Sequence, residues 1–104
     1  MNSSGDPTPD QSEFSVVENT DEGRFELHHN GEVLSIADYG ERKDGVVVVS
    51  HVGTEPQHRG KGNAGRLMDG LLEQLRASDR KIIPICPFAA NHVRENSQYQ
   101  DLVA

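Results

Sequence analysis

The chain has 104 residues, 34% of them apolar and 26% charged, with a formal net charge of −7. That length gives one globular domain with one core, and the charge repels nucleic acid and anionic membrane over most of the surface, so neither is expected as a partner. A single cysteine excludes an internal disulfide, no apolar run approaches membrane-spanning length, and the N-terminus lacks a basic stretch followed by an apolar core, so a cytoplasmic location is expected.

Residues 1–12, with Ser3, Ser4, Gly5, Pro7 and Pro9, have almost nothing to bury and read as a flexible tail, leaving 13–104 as the folded domain. Residues 13–18 read as a short strand and 19–23 as a turn. Residues 24–28 alternate polar and apolar as a second strand, and Asn30-Gly31 carries a hairpin signal into a third strand over 32–39. A charged loop over 41–45 leads to the β-branched run Val46-Val47-Val48-Val49, the fourth strand, which reads as closing near His51 and Val52. Ala64, Leu67, Met68, Leu71, Leu72 and Leu75 then recur at helical spacing, predicting a helix from about 62 to 77 with one buried face.

Lys81 to Ile85 makes a fifth strand, with Pro84 marking an edge, a bend or a bulge. Because a helix joins strands four and five, they are expected to be parallel neighbours through a right-handed crossover. Pro87 suits the first position of a second helix running to about Arg94 or Glu95. The predicted fold is therefore α+β: a small mixed sheet of about five strands, antiparallel at its N-terminal side, with two helices. Charge on the sheet edge and a net charge far from zero predict a monomer.

Between the fourth strand and the first helix lies Gln57-His58-Arg59-Gly60-Lys61-Gly62. Glycines at such a join let the backbone turn sharply, and the first N–H groups of a helix lack internal partners and carry the positive end of its dipole, which suits a phosphate. The alternative is a turn that binds nothing. The stretch is not the P-loop, since Gly62 follows Lys61 and Glu55 stands where that motif needs its first glycine. No acidic ribose partner follows in a βαβ frame, so a dinucleotide site is not read either. His58, Arg59, Lys61 and Arg66 are either a local basic patch for an anion or a solvated helix start. Cys86 sits just before Pro87, where a helix dipole would favour thiolate, or else it is a small buried apolar residue.

The Gln-x-x-Gly-x-Gly loop, the Leu-rich helix after it and the segment Lys81-Ile82-Ile83-Pro84-Ile85-Cys86-Pro87-Phe88 together resemble the minimal, YjdJ-type branch of the GNAT superfamily of N-acetyltransferases, as does the ending at 98–103. The resemblance runs from about Phe14 to Val103. It implies that strands four and five splay apart and that acetyl-CoA enters the gap, with no metal. On this resemblance the loop Gln57, His58, Arg59, Gly60, Lys61, Gly62 and Asn63 would hold the pyrophosphate. Exposed backbone of Val52, Gly53 and Thr54 would pair with the pantetheine arm, and Cys86 would lie near the thioester.

His51 is then the expected base, a side chain that titrates near neutrality; read from residues alone, it could equally be a strand histidine satisfied by a carbonyl. Cys86 is either a nucleophile or a wall residue, the second being preferred because proximity makes a covalent intermediate unnecessary. Where larger members often carry a tyrosine acid in the last helix, this chain has Val93, with His92 beside it; Tyr99 could substitute or simply anchor the C-terminus. The chain also stops before the strands that build the amine-binding wall in larger members, leaving the acceptor unread. The leading expectation is an N-acetyltransferase acting on an unidentified amine; the alternatives are a non-catalytic CoA-binding or protein-interaction module and, last, a domain whose glycine turn binds nothing.

Overall fold

The computed structural model describes residues 13–104, so the predicted tail lies outside the described residues. Five strands, β1 (Phe14–Asn19), β2 (Arg24–His29), β3 (Glu32–Glu41), β4 (Val47–Thr54) and β5 (Ile82–Pro84), form one sheet in the order β1-β2-β3-β4-β5. The first four are antiparallel and β4 pairs β5 in parallel. Helix α1 (Asn63–Ala77) provides the crossover, and α2 (Pro87–Glu95) and a 3-10 helix over Ser97–Leu102 follow β5. This is the expected α+β mixed sheet, with strand ends shifted by a residue or two.

The local reasons are those the residues supply. Asn30 and Gly31 have φ of 52° and 78°, the left-handed pair that a tight two-residue hairpin needs. Pro84 lacks an N–H and ends β5 at the sheet edge, where no ladder bond is lost. The edge beyond Ile82 is partly covered by the C-terminus, since Ala104 N–H donates to Ile82 O at 2.9 Å.

One core fills the space between the sheet and its helices. Phe25, Leu27, Ala37, Val47 and Val49 from the sheet meet Leu67, Met68, Leu71, Leu72 and Leu75 of α1, with Ala89 and Val93 of α2 joining the same cluster. At ~25 cal/mol per Å² of apolar area, burying each leucine contributes about 1.5–3 kcal/mol, so the leucine stripe of α1 holds the helix to the sheet. Both helices thus lie on one face. The opposite face carries the outward residues of the alternating strands, including Val17, which is 40% exposed.

Candidate functional site

The parallel pair is short. Val47, Val48 and Val49 of β4 register with Ile82, Ile83 and Pro84, and Val49 O then accepts both Ile85 N–H at 2.9 Å and Cys86 N–H at 3.1 Å as the chain leaves for α2. Strand β4 continues to Thr54, so its last residues have no strand beside them on that edge. A bulge prepares this edge. Tyr39 pairs Val49 while Asp38 pairs His51, leaving Ser50 as the extra residue, and Ser50 and His51 are both exposed. Glu55 N–H donates to Leu34 O on the β3 side at 3.2 Å; by strand alternation Val52 and Thr54 direct their backbone groups to the open side. Thr54 O there accepts Arg59 Nε–H at 3.2 Å.

The loop above it is rigidly built. A single 3-10 turn over Pro56–His58, absent from the sequence reading, is closed by His58 N–H donating to Glu55 O at 2.8 Å. Gly60 and Gly62 then adopt φ of 77° and 79°. Space is not the reason for glycine here: a Cβ on Gly60 would meet nothing within 4 Å, and one on Gly62 only Arg66 Nη1 at 3.8 Å. The left-handed backbone is the reason. Gly62 caps α1 without a side-chain bond, and Arg66 N–H donates to Gly62 O at 3.0 Å, so the N–H groups between them have no helical acceptor.

The basic residues mostly hold the loop itself. Asn63 Nδ2 donates to His58 O at 3.2 Å, and Arg66 Nη1 donates to Lys61 O at 2.8 Å and to Asn63 Oδ1 at 3.0 Å. The Arg66 guanidinium also lies 4.6 Å over the Phe14 ring, and His58 Nε2 sits 3.0 Å from Glu32 Oε2. Among the described residues, the Lys61 side chain makes no such contact.

Loop, β4 edge and the start of α2 enclose a cavity of about 510 Å³. Its walls include Ile36 of β3, His51, Val52, Gly53 and Thr54 of β4, Arg59, and Ala64 and Phe88 from the two helices. Sequence reasoning missed Ile36 and Ala64 as lining residues, because only the pairing register and the helix angle bring them there. His51 Nε2 stands 3.0 Å from the point where a Cβ on Gly53 would be, so the absent side chain leaves room for the ring. Gln57, Gly60, Lys61 and Gly62 are exposed on the loop above, next to the buried Asn63.

Cys86 is 8% exposed, packs in the core cluster and is not among the residues lining the cavity. Neither tyrosine lines it. Tyr99 is buried and donates to Asp69 Oδ1 at 3.1 Å, and its hydroxyl is pushed up to about 12, first by burial and then by the Asp69 charge. His92 Nε2 lies 2.8 Å from the same carboxylate oxygen, so the three residues tie α1, α2 and the C-terminal turn together. Nothing in the sequence alone pairs Asp69 with residues so far along the chain.

The family model described as GCN5-related N-acetyl-transferase matches residues 24–102. A GCN5-like protein from Staphylococcus aureus, solved in solution by NMR, has a similar fold, with a TM-score of 0.66 at 22% identity over 90% of this chain and 91% of that one. The crystal structure of a ribosomal-protein-alanine N-acetyltransferase from Brucella melitensis biovar Abortus 2308 aligns with a TM-score of 0.47 at 21% identity, over 81% of this chain and 65% of the other. Curated protein sequences give no match.

Proposed function

We infer that this chain, which belongs to the GCN5-related N-acetyltransferase family, binds acetyl-CoA where β4 and β5 part and passes its acetyl group to an amine. The observation that carries this reading is the meeting, at one cavity, of the β4 edge at Val52 and Thr54, which has no strand beside it, with Pro56 and Arg59 of the loop and Ala64 of the helix that follows, the glycines of the same loop being exposed outside the lining. These residues fit the cosubstrate. Amide-bearing pantetheine matches a strand edge that presents Val52 N–H and C=O and Thr54 N–H, with Thr54 O held by Arg59 Nε–H, and a pyrophosphate matches uncapped N–H groups at the positive end of α1.

Each site residue has a definite task. Gly60 and Gly62 hold the backbone N–H groups of the loop open, and Asn63 and Arg66 lock its shape through His58 O and Lys61 O. Val52 and Thr54 align the arm, and Gln57, His58, Arg59 and Lys61 flank the phosphates. Once bound, acetyl-CoA supplies a thioester: the amine nitrogen bonds to the acetyl carbon, the C–S bond breaks, and the sulfur leaves to become a thiol on gaining a proton. His51, in the cavity wall, takes the proton that the amine must lose. With both tyrosines away from the cavity, water delivers the proton to the sulfur. Cys86, packed in the core cluster and outside the cavity lining, does not touch the reacting atoms.

A second reading, a CoA-binding module without turnover, is favoured by one observation, the engagement of both His92 and Tyr99 with Asp69 instead of the cavity. Titration of isotope-labelled protein with acetyl-CoA and with CoA, read by amide shifts and calorimetry, tests both. Saturable shifts at Val52–Thr54 and Gln57–Asn63 are expected, followed by CoA release when amines are added. Binding without release with any amine leaves the module, and no binding at millimolar ligand removes both readings.

A further inference from the structure

We propose that Asp38 selects the acceptor, drawing a primary alkylammonium onto the helix-free face of the sheet between its carboxylate and the His51 ring; this rests on the acetyltransferase reading. Three strands carry the argument in two cross-strand rows. Arg24 of β2 registers with Asp38 of β3, and Asp38 with His51 of β4; one step along, Glu26 registers with Ile36 and Ile36 with Gly53. Phe25 and Ala37 point into the helix-side core, so by alternation Arg24, Glu26, Ile36 and Asp38 face the other way. The bulge at Ser50 brings His51 out onto that same face.

The two carboxylates of these rows differ. Glu26 is saturated: its Oε2 accepts from Arg24 Nε at 2.7 Å and Asn19 Nδ2 at 3.1 Å, and its Oε1 lies 2.8 Å from His28 Nε2. The side chain of Asp38 has no hydrogen bond or ion pair among the described residues, and the Nε of its neighbour Arg24 is already committed to Glu26. A half-buried carboxylate beside an exposed histidine is a receptor for an ammonium group. The second row supplies the rest of the pocket: Ile36 gives an apolar wall for an alkyl chain, the His51 ring lies over the Cα of Gly53, and all three residues line the cavity. An ammonium held there gives one proton to the His51 ring nitrogen, which leaves the electron pair of that N–H bond on the nitrogen to attack the acetyl carbon; the second proton, lost as the amide forms, passes through water to the departing sulfur. The net charge of −7 steers cationic acceptors in the same direction.

An alkylammonium comes either from a free polyamine or from a lysine side chain, and spermidine and a lysine-containing basic peptide serve as probes. Added to labelled full-length protein without acetyl-CoA, either cation is expected to shift the amides of Ile36, Asp38, His51 and Gly53, and the tighter probe identifies the source. Asp38→Asn, nearly isosteric, is expected to weaken that binding by about tenfold or more while acetyl-CoA binding stays at the wild-type level. In turnover it raises KM for the cations and leaves aniline, neutral at assay pH, unaffected. Shifts confined to other surfaces, or equal affinity in Asp38→Asn, overturn the proposal even where acetyl-CoA binds. Failure of acetyl-CoA to bind removes the parent reading and the reaction with it, leaving at most a cation site.

Discussion

Gly70 of α1 lies against Val16 of the edge strand β1 so closely that a Cβ built on Gly70 would stand 2.9 Å from Val16 Cβ and nearer still to its Cγ2. One turn further, Gln74 Nε2 donates to the Val16 carbonyl, so the same strand residue is met by close packing and by a hydrogen bond. Helix and strand approach only because Gly70 has no side chain. Gly70→Ala gains up to about 1 kcal/mol of helix propensity but overpacks the contact by about 1–3 kcal/mol or more, since β1 must shift as a unit. A net loss in the urea midpoint is expected, with partial recovery in the Val16→Ala, Gly70→Ala double variant. Additive losses in the double-mutant cycle would contradict the contact.

At the loop the glycine logic differs, because Gly60 and Gly62 have room but hold positive φ. Alanine at Gly60 is expected to cost about 1–2 kcal/mol of stability and, by turning the loop N–H groups, to weaken acetyl-CoA binding at least tenfold. Asparagine, which tolerates the left-handed region, should lose less of both. Calorimetry on the three proteins checks the ranking, and unchanged affinity in a folded Gly60→Ala protein would move the phosphate site elsewhere.

These two kinds of glycine mark how far the sequence is readable. Local chemistry was legible: Asn30-Gly31 gave the hairpin, Pro84 the sheet edge, Pro87 the helix start, and the leucine stripe the buried face of α1. So was the loop, because strand, glycines and helix are contiguous there. What was not legible depends on register between distant segments. Nothing local announces that Ser50 is a bulge, that Asp38 stands between Arg24 and His51, or that Asp69 gathers His92 and Tyr99. The basic residues show the limit of composition: three of the four grouped as an anion patch are tied to Glu32, Thr54 O and Lys61 O.

Two carboxylates, the buried Glu26 and the half-buried Glu18, shape the response to acid. The ring of His28, then Arg24 and Asn19, hold Glu26 down to about 2 from an ordinary 4.5, against the opposing effect of burial. Glu18 is lowered too, chiefly by Arg80, whose Nη1 and Nη2 donate to it at 3.0 and 2.9 Å. A carboxylate depressed in the folded state binds fewer protons there than when unfolded, so its stabilisation is complete above the unfolded value and is lost as pH falls toward the folded one. Stability should therefore hold down to about pH 5 and drop between about 4.5 and 2. Glu26→Gln is expected to flatten that drop and to cost about 1–2 kcal/mol at neutral pH, a modest figure because Arg24 and His28 are about a third exposed. Denaturant midpoints across the acid range read both effects, and an identical acid slope in the variant would mean that other groups carry it.

Cys86 separates direct transfer from a covalent route. Its backbone N–H is bonded to Val49 O and its side chain is packed in the core, out of line with the cavity wall that Phe88, two residues on, does reach. A thiol in that position fills volume at the start of α2. Cys86→Ala is accordingly expected to lower stability by about 1 kcal/mol through the lost packing, and Cys86→Ser by more, because it buries a hydroxyl among apolar side chains. Turnover with amine should survive Cys86→Ala within a few-fold, and intact-mass spectra of the wild-type chain with acetyl-CoA should show no acetyl adduct. An adduct that disappears in Cys86→Ala together with turnover would instead require the first turn of α2 to move, bringing the sulfur to the acetyl carbon, and would make Cys86 the nucleophile.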